Sequence, residues 1–211
     1  HADLLSIMKN CLFDTICHEH LEYYSTRIIK KLMEKNELRV FDIKQNDING
    51  GSMCYFISHN KSKYKTNKKV INKILEEEKK FKLESKNTYV KFFKRINLIK
   101  NNLNKILDNH YKSNKIIHAY GASTKGNVLL QYFNISNNII KFIADRNNKK
   151  VNSFTPGTKI KIISEEQSRK MLPDYYLVLP WHFKKEILER ELKIRKKGTK
   201  FIFPLPKLEI I

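Results

Sequence analysis

No apolar run in these 211 residues approaches the ~20 positions that a membrane-crossing helix needs; the longest, such as Tyr175 to Pro180, excludes a helical span. Cysteine is sparse as well. Cys11, Cys17 and Cys54 are odd in number and show neither C-x-x-C spacing nor a dense framework. That argues against a disulfide scaffold and against structural zinc within the chain, and points to reduced thiols in a cytoplasmic setting. Acidic residues are few, 21 against 42 Lys+Arg, for a formal charge of +21. Such a balance ordinarily raises nucleic acid or an anionic membrane as partner. Here the lysines run from Lys9 to Lys207 beside abundant Asn and Ile, and the clusters 61–69 and 193–200 carry little aromatic interleaving. Single-strand binding needs stacking faces beside the charge, so the dispersed lysines read as solvated surface and argue against a nucleic-acid partner. The opening His1-Ala2-Asp3-Leu4-Leu5 has no initiator Met and no basic n-region, and reads as an internal start with further chain upstream.

What is present is a hydrophobic content of 41% with 11% aromatic residues, enough for one large or two small domains with apolar cores. Leu4, Leu5 and Met8 have helical spacing, and Ser25 offers an N-cap to a stripe of Ile28, Ile29, Leu32 and Met33. Residues 38–43 alternate as a strand and 53–57 read as another, with Gly50-Gly51 between them. One helix on two strands is an incomplete fold that needs further sheet to pack against. A polar linker over 61–69 leads to a helix starting at Val70, Ile71, Ile74 and Leu75, then to a second run through Tyr89, Phe92, Phe93, Ile96, Ile99, Leu103, Ile106 and Leu107. From Lys115 the pattern changes to strands at 116–120, 139–144, 175–179 and 201–203, with helices near 128–133, 165–172 and 184–196. Alternation of this kind predicts a small parallel sheet in a Rossmann-like lobe of about 100 residues.

Two stretches carry candidate chemistry. In Phe13-Asp14-Thr15-Ile16-Cys17-His18-Glu19-His20-Leu21-Glu22-Tyr23-Tyr24-Ser25, two histidines flank a carboxylate just before a helix. The cluster can supply a general base tuned by the carboxylate, or its imidazoles can simply bond backbone groups; spacing alone leaves both open. It is not the H-E-x-x-H of zinc proteases, because adjacent residues do not share a helix face. The second stretch, Gly121-Ala122-Ser123-Thr124-Lys125-Gly126-Asn127, reads as a strand-to-helix loop. Its backbone N–H groups and Lys125 can hold phosphate, or it can be a turn that packs helix on strand. Neither G-x-G-x-x-G nor a Walker loop is met, since the second glycine is absent and Asn127 follows Gly126 where a Walker loop has Lys. Asp145 ends a strand where α/β folds often hold a ribose, though a turn or cap role suits it better. Pro156-Gly157-Thr158 reads as a turn, and Trp181-His182 as a core Trp followed by a capping His.

Taken in order, FDTICHEHLEYYS, the Gly50-Gly51-Ser52 turn, AYGASTKGNVLLQY, PGTKIKI, PDYYLVLPWHF and KGTKFIFPLP resemble the sugar C-methyltransferases that act on nucleotide-linked deoxysugars. The resemblance implies an α/β fold: the end of a class I methyltransferase domain over residues 1–60, bridging helices over 61–110, and a Rossmann-like substrate-binding domain over 111–211. It implies S-adenosylmethionine as cofactor, bound mainly by a portion outside this chain, with zinc confined to an N-terminal module also outside it. The partners implied are that cofactor-binding portion and a nucleotide-diphosphate ketodeoxysugar. By the same resemblance His20 is the general base, Glu19 its partner, and Cys17 and Tyr23 are substrate-binding positions, Cys17 standing where the family usually carries Tyr. Gly121, Ala122, Ser123, Thr124, Lys125, Gly126 and Asn127 fall near the diphosphate-linked nucleotide. Two other classes stand beside this one, a binding module for a nucleotide sugar without methyl transfer and a basic RNA-binding protein; activity with a supplied cofactor domain separates the first, and salt-dependent RNA affinity the second.

Overall fold

The computed structural model describes residues 2–211; His1 lies outside the described residues. The chain forms two compact units, one of residues 1–12 and 18–95, the other of residues 13–17 and 96–211. Among the described residues no helix is long and apolar enough to cross a membrane.

In the first unit, α1 (Leu4–Asn10) starts at Asp3, whose carboxylate accepts from the Ser6 N–H. Helix α2 (Thr26–Lys35) is capped by Ser25 as its sequence predicts. A buried carboxylate, Glu78, also receives the Thr26 and Arg27 N–H groups at 2.5 and 3.1 Å. A negative charge there satisfies donors that no helical carbonyl can reach and complements the helix dipole. Strands β1 (Leu38–Asn46) and β2 (Ser52–His59) pair antiparallel, from Leu38 opposite His59 to Asn46 opposite Ser52. A register shift between Val40 and Asp42 lets Val40 and Ile43, three apart, both point inward, which strict alternation forbids. With Met53 and with Ile71 and Ile74 of α3 (Lys68–Phe81) they form a core that Ile29 and Met33 also join. Ile28 and Leu32 of the same predicted stripe stay largely exposed.

The long helix α4 (Lys86–Lys112) passes from the first unit into the second, where Ile96, Leu103 and Leu107 are buried. The second unit then alternates β3 (Ile117–Tyr120), α5 (Thr124–Phe133), β4 (Phe142–Asp145), β5 (Lys161–Ser164), α6 (Glu165–Lys170), β6 (Tyr175–Val178), α7 (Lys184–Arg190), α8 (Leu192–Arg195), β7 (Lys200–Phe203) and β8 (Glu209–Ile210). The sheet order is β5-β4-β3-β6-β7-β8, parallel except for β8. This is a mostly parallel, doubly wound α/β sheet, the Rossmann-like lobe expected. Strand order reverses between β3 and β6, so a crevice opens beyond their C-terminal ends. Two strands escape the sequence pattern, β5 starting at the end of PGTKIKI and β8 at the C-terminus, because four and two residues are too few to show a period. Residues 124–127 are corrected from loop to the first turn of α5, and the reason is local: Ser123 is the N-cap, its hydroxyl accepting from the Gly126 N–H at 3.0 Å.

Candidate active site

The crevice of the second unit is a half-open cavity of about 460 Å³ lined from β3 by Gly121, Ala122 and Ser123, from β4 by Asp145 and Arg146, and from the turn after β6 by Pro180 and Phe183. Its loop is held by the chain itself. The Ala122 N–H donates to Asp145 Oδ2 at 2.7 Å, the Asn147 N–H to Asp145 Oδ1 at 2.8 Å, and Lys150 Nζ to the Ala122 carbonyl at 2.7 Å. Asp145 is therefore the turn-holding acid that its position suggests, with both oxygens engaged by backbone. Gly121 has φ +82°, and a Cβ there would stand 2.6 Å from Pro180 Cγ and Cδ; at Gly126 it would meet the Leu179 side chain at 2.8 Å. The two glycines thus let the loop and the start of α5 press onto β6 and its outlet. Gly121→Ala is expected to cost roughly 1–2 kcal/mol of stability, read as a lower melting temperature. An unchanged melt would show that Pro180 yields freely to the added methyl group.

Part of the crevice wall is a charge network that the sequence did not announce, since Tyr120, Glu165 and Arg190 line the cavity. Tyr120 Oη sits 2.7 Å from carboxylates of both Glu165 and Glu191, and Arg190 donates to the same oxygen at 2.8 Å. Arg169 bonds Glu191 at 2.6 and 2.8 Å and Glu165 at 2.7 Å. Burial pushes the Glu191 carboxyl up, but the Arg169 and Tyr120 hydrogen bonds and the two arginine charges outweigh it and hold it below the usual range. Burial and the neighbouring glutamates push the Tyr120 phenol up. In sequence, Glu165 and Arg169 look like a solvated i,i+4 pair. Only the fold brings Glu191 to them.

The predicted stretch 121–127 divides between two surroundings. Gly121, Ala122 and Ser123 line the crevice, whereas Lys125 lies in the electrostatic reach of Asp14 and Cys17. Burial lowers the Lys125 pKa and these two neighbours raise it. Asp14 belongs to a single 3₁₀ turn, Phe13–Thr15, packed on α5 with the Phe13 ring stacked 5.0 Å from Phe133. Its carboxylate accepts the Trp181 Nε1–H at 2.8 Å. Trp181 is thus the buried core Trp expected, and a buried indole N–H calls for such an acceptor. His182 is corrected: it caps no helix, and its Nδ1 is buried with no hydrogen-bond partner among the described residues. Burial, with the Lys125 charge adding to it, holds its imidazole down to about 4. The Asn127 Oδ1 is likewise buried and without a hydrogen-bond partner among the described residues, while Thr124 opens α5.

Beyond Cys17, which is half-buried, the chain enters the first unit with His18 and Glu19 exposed and His20 half-buried. The His20 ring meets the edge of Tyr23 at 6.4 Å, and Tyr24 hydrogen-bonds Glu22. The structure therefore groups Glu19, His20 and Tyr23 in one unit and Cys17, Lys125 and the 121–123 loop in the other. Among the described residues no group of three or more His, Cys, Asp or Glu is arranged to hold a metal ion.

Against known proteins, the family model described as "C-methyltransferase C-terminal domain" matches residues 47–206. The chain is also 32% identical over 208 residues to "C-methyltransferase NovU" of Streptomyces niveus, an alignment that covers 99% of this chain and 49% of that protein. The chain spans about half the length of the curated relative it matches.

Proposed function

Because the chain belongs to the C-methyltransferases and carries their C-terminal domain, we propose that it supplies the base and the substrate platform for C-methylation of a nucleotide-diphosphate ketodeoxysugar. Residues 1–60 close the methyltransferase domain in this reading, 61–110 bridge, and 111–211 receive the nucleotide. S-adenosylmethionine supplies the electrophilic methyl group. The residues of this chain do not fit it: in the Rossmann-like crevice the acid that would meet a ribose, Asp145, is engaged at both oxygens by backbone N–H groups. Its binding then falls to the rest of the enzyme, in a cytoplasmic setting that suits the three free thiols.

The residues here do the proton work. His20 takes the proton from the carbon next to the ketone, leaving that carbon's electron pair as the nucleophile, and Glu19 steadies the imidazolium. Cys17 and Tyr23 are the further substrate-binding positions of this reading. The reading is carried by the accessibility of the segment: the chain leaves a buried turn at Asp14 and Thr15 to expose His18 and Glu19 and half-expose His20.

The nucleotide end is assigned to the 121–127 stretch, with Lys125 as its cation. Lys125→Ala is expected to weaken binding of a nucleotide-diphosphate sugar about tenfold, the order of one charge-assisted contact. Isothermal titration of the parent and a variant shown folded by its melt is the test. Equal affinities would leave the loop as a packing turn and move the phosphates elsewhere.

A further inference from the structure

Asp14 precedes His20 by six positions, yet its side chain points away from solvent, with only 1% of the residue exposed. One oxygen accepts the Trp181 indole N–H at 2.8 Å; the other, Oδ1, is buried without a hydrogen-bond partner among the described residues. Burial pushes the carboxyl up, and the Lys125 charge and the Trp181 bond push it back down. The same carboxylate is the largest influence holding up the charge of Lys125, with Cys17 next. One side chain therefore links the turn after β6, the first turn of α5 and the turn Phe13–Thr15.

Such an arrangement is poor for stability. A buried carboxylate with one oxygen lacking a hydrogen-bond partner among the described residues carries a desolvation cost that an apolar residue of similar size would not. Its return is geometric. The turn is pinned on one side by Trp181 and packed on the other by Phe13 against α5, and the chain leaves it through Cys17 directly into His18-Glu19-His20. We propose that Asp14 is a positioning residue for the methyl-transfer reaction: it acts on no substrate atom, but through its bond to Trp181 it fixes the point from which the His-Glu-His segment departs. The inference rests on the reading of His20 as base.

The test is turnover, and sugar α-proton exchange with deuterated water, in the complete enzyme with S-adenosylmethionine and a nucleotide-linked ketosugar. Asp14→Leu keeps the size and removes the acceptor of the Trp181 N–H; turnover per folded molecule, and α-proton exchange with it, is expected to fall about 10- to 100-fold, the scale of a slight misplacement of reacting groups, with KM within about twofold. Folded fraction comes from the melt. Trp181→Phe removes the donor of the same bond; it should lower turnover and exchange likewise, and it carries the test if Asp14→Leu does not fold.

A merely structural Asp14 would lower the melting temperature and leave both readouts per folded molecule at parental values, which overturns the proposal. His20→Asn, run alongside, separates the two readings. Exchange lost there with parental turnover in Asp14→Leu refutes the positioning role alone, and parental behaviour in both refutes the base as well.

Discussion

Replacing His20 by Asn in the complete enzyme is expected to lower turnover by about 10²- to 10⁴-fold, the usual contribution of a positioned general base. Removing a proton next to a ketone needs a group that ionises near the working pH, and imidazole is the side chain that does so ordinarily. The alternatives in the same segment are weaker. Asp14 is enclosed and engaged by Trp181, and Cys17 lies beside Lys125 in the other unit. Binding of the nucleotide sugar should survive His20→Asn, because the lost interaction belongs to the transition state. Exchange of the sugar α-proton with deuterated water isolates the step. Exchange unchanged in His20→Asn but abolished in His18→Asn would assign the base to His18.

Acid should destabilise the second unit well above the range where carboxylates protonate. His118, on β3, is 2% exposed, with its Nδ1 2.8 Å from Ser168 Oγ, which in turn meets Tyr176 Oη at 2.8 Å. Burial holds its imidazole down to about 4, against 6.5 ordinarily. The unfolded chain therefore binds the proton at higher pH than the folded one. Stability attributable to His118 is complete above pH ~6.5, declines as pH falls from there, and is exhausted near the folded value. The full gap corresponds to about 3 kcal/mol, of which about 2 should be gone by pH 5, a fall in melting temperature of roughly 4–8 °C. His182, less enclosed but also held near 4, adds in the same direction. Melts at pH 7 and pH 5 of the parent and of His118→Asn are the measurement. The same acid shift in both proteins would mean that another group is responsible.

The residue pattern alone determined most features that depend on neighbours within a few positions, the first turn of α5 and the short strands β5 and β8 excepted. Ser25 caps α2, the stripe from Phe92 to Leu107 makes α4, the Gly50-Gly51 loop joins two strands, and the alternation after Lys115 yields a parallel α/β lobe. The motifs in their order also sufficed for the family, since the match over 47–206 covers most of what they span. Tertiary structure alone decided how the candidate site is held. The acceptor for Trp181 is a carboxylate 167 positions earlier; the acid that secures the Ala122 N–H lies 23 positions on; and Glu191, within the stretch 184–196, joins Arg169, Arg190 and Tyr120 at the crevice wall. Periodicity reports which face of an element is apolar, but not which polar group will meet which. A buried donor or acceptor is satisfied by whatever the packed elements bring within about 3 Å, and that partner follows from sheet order and crossover, not from distance along the chain.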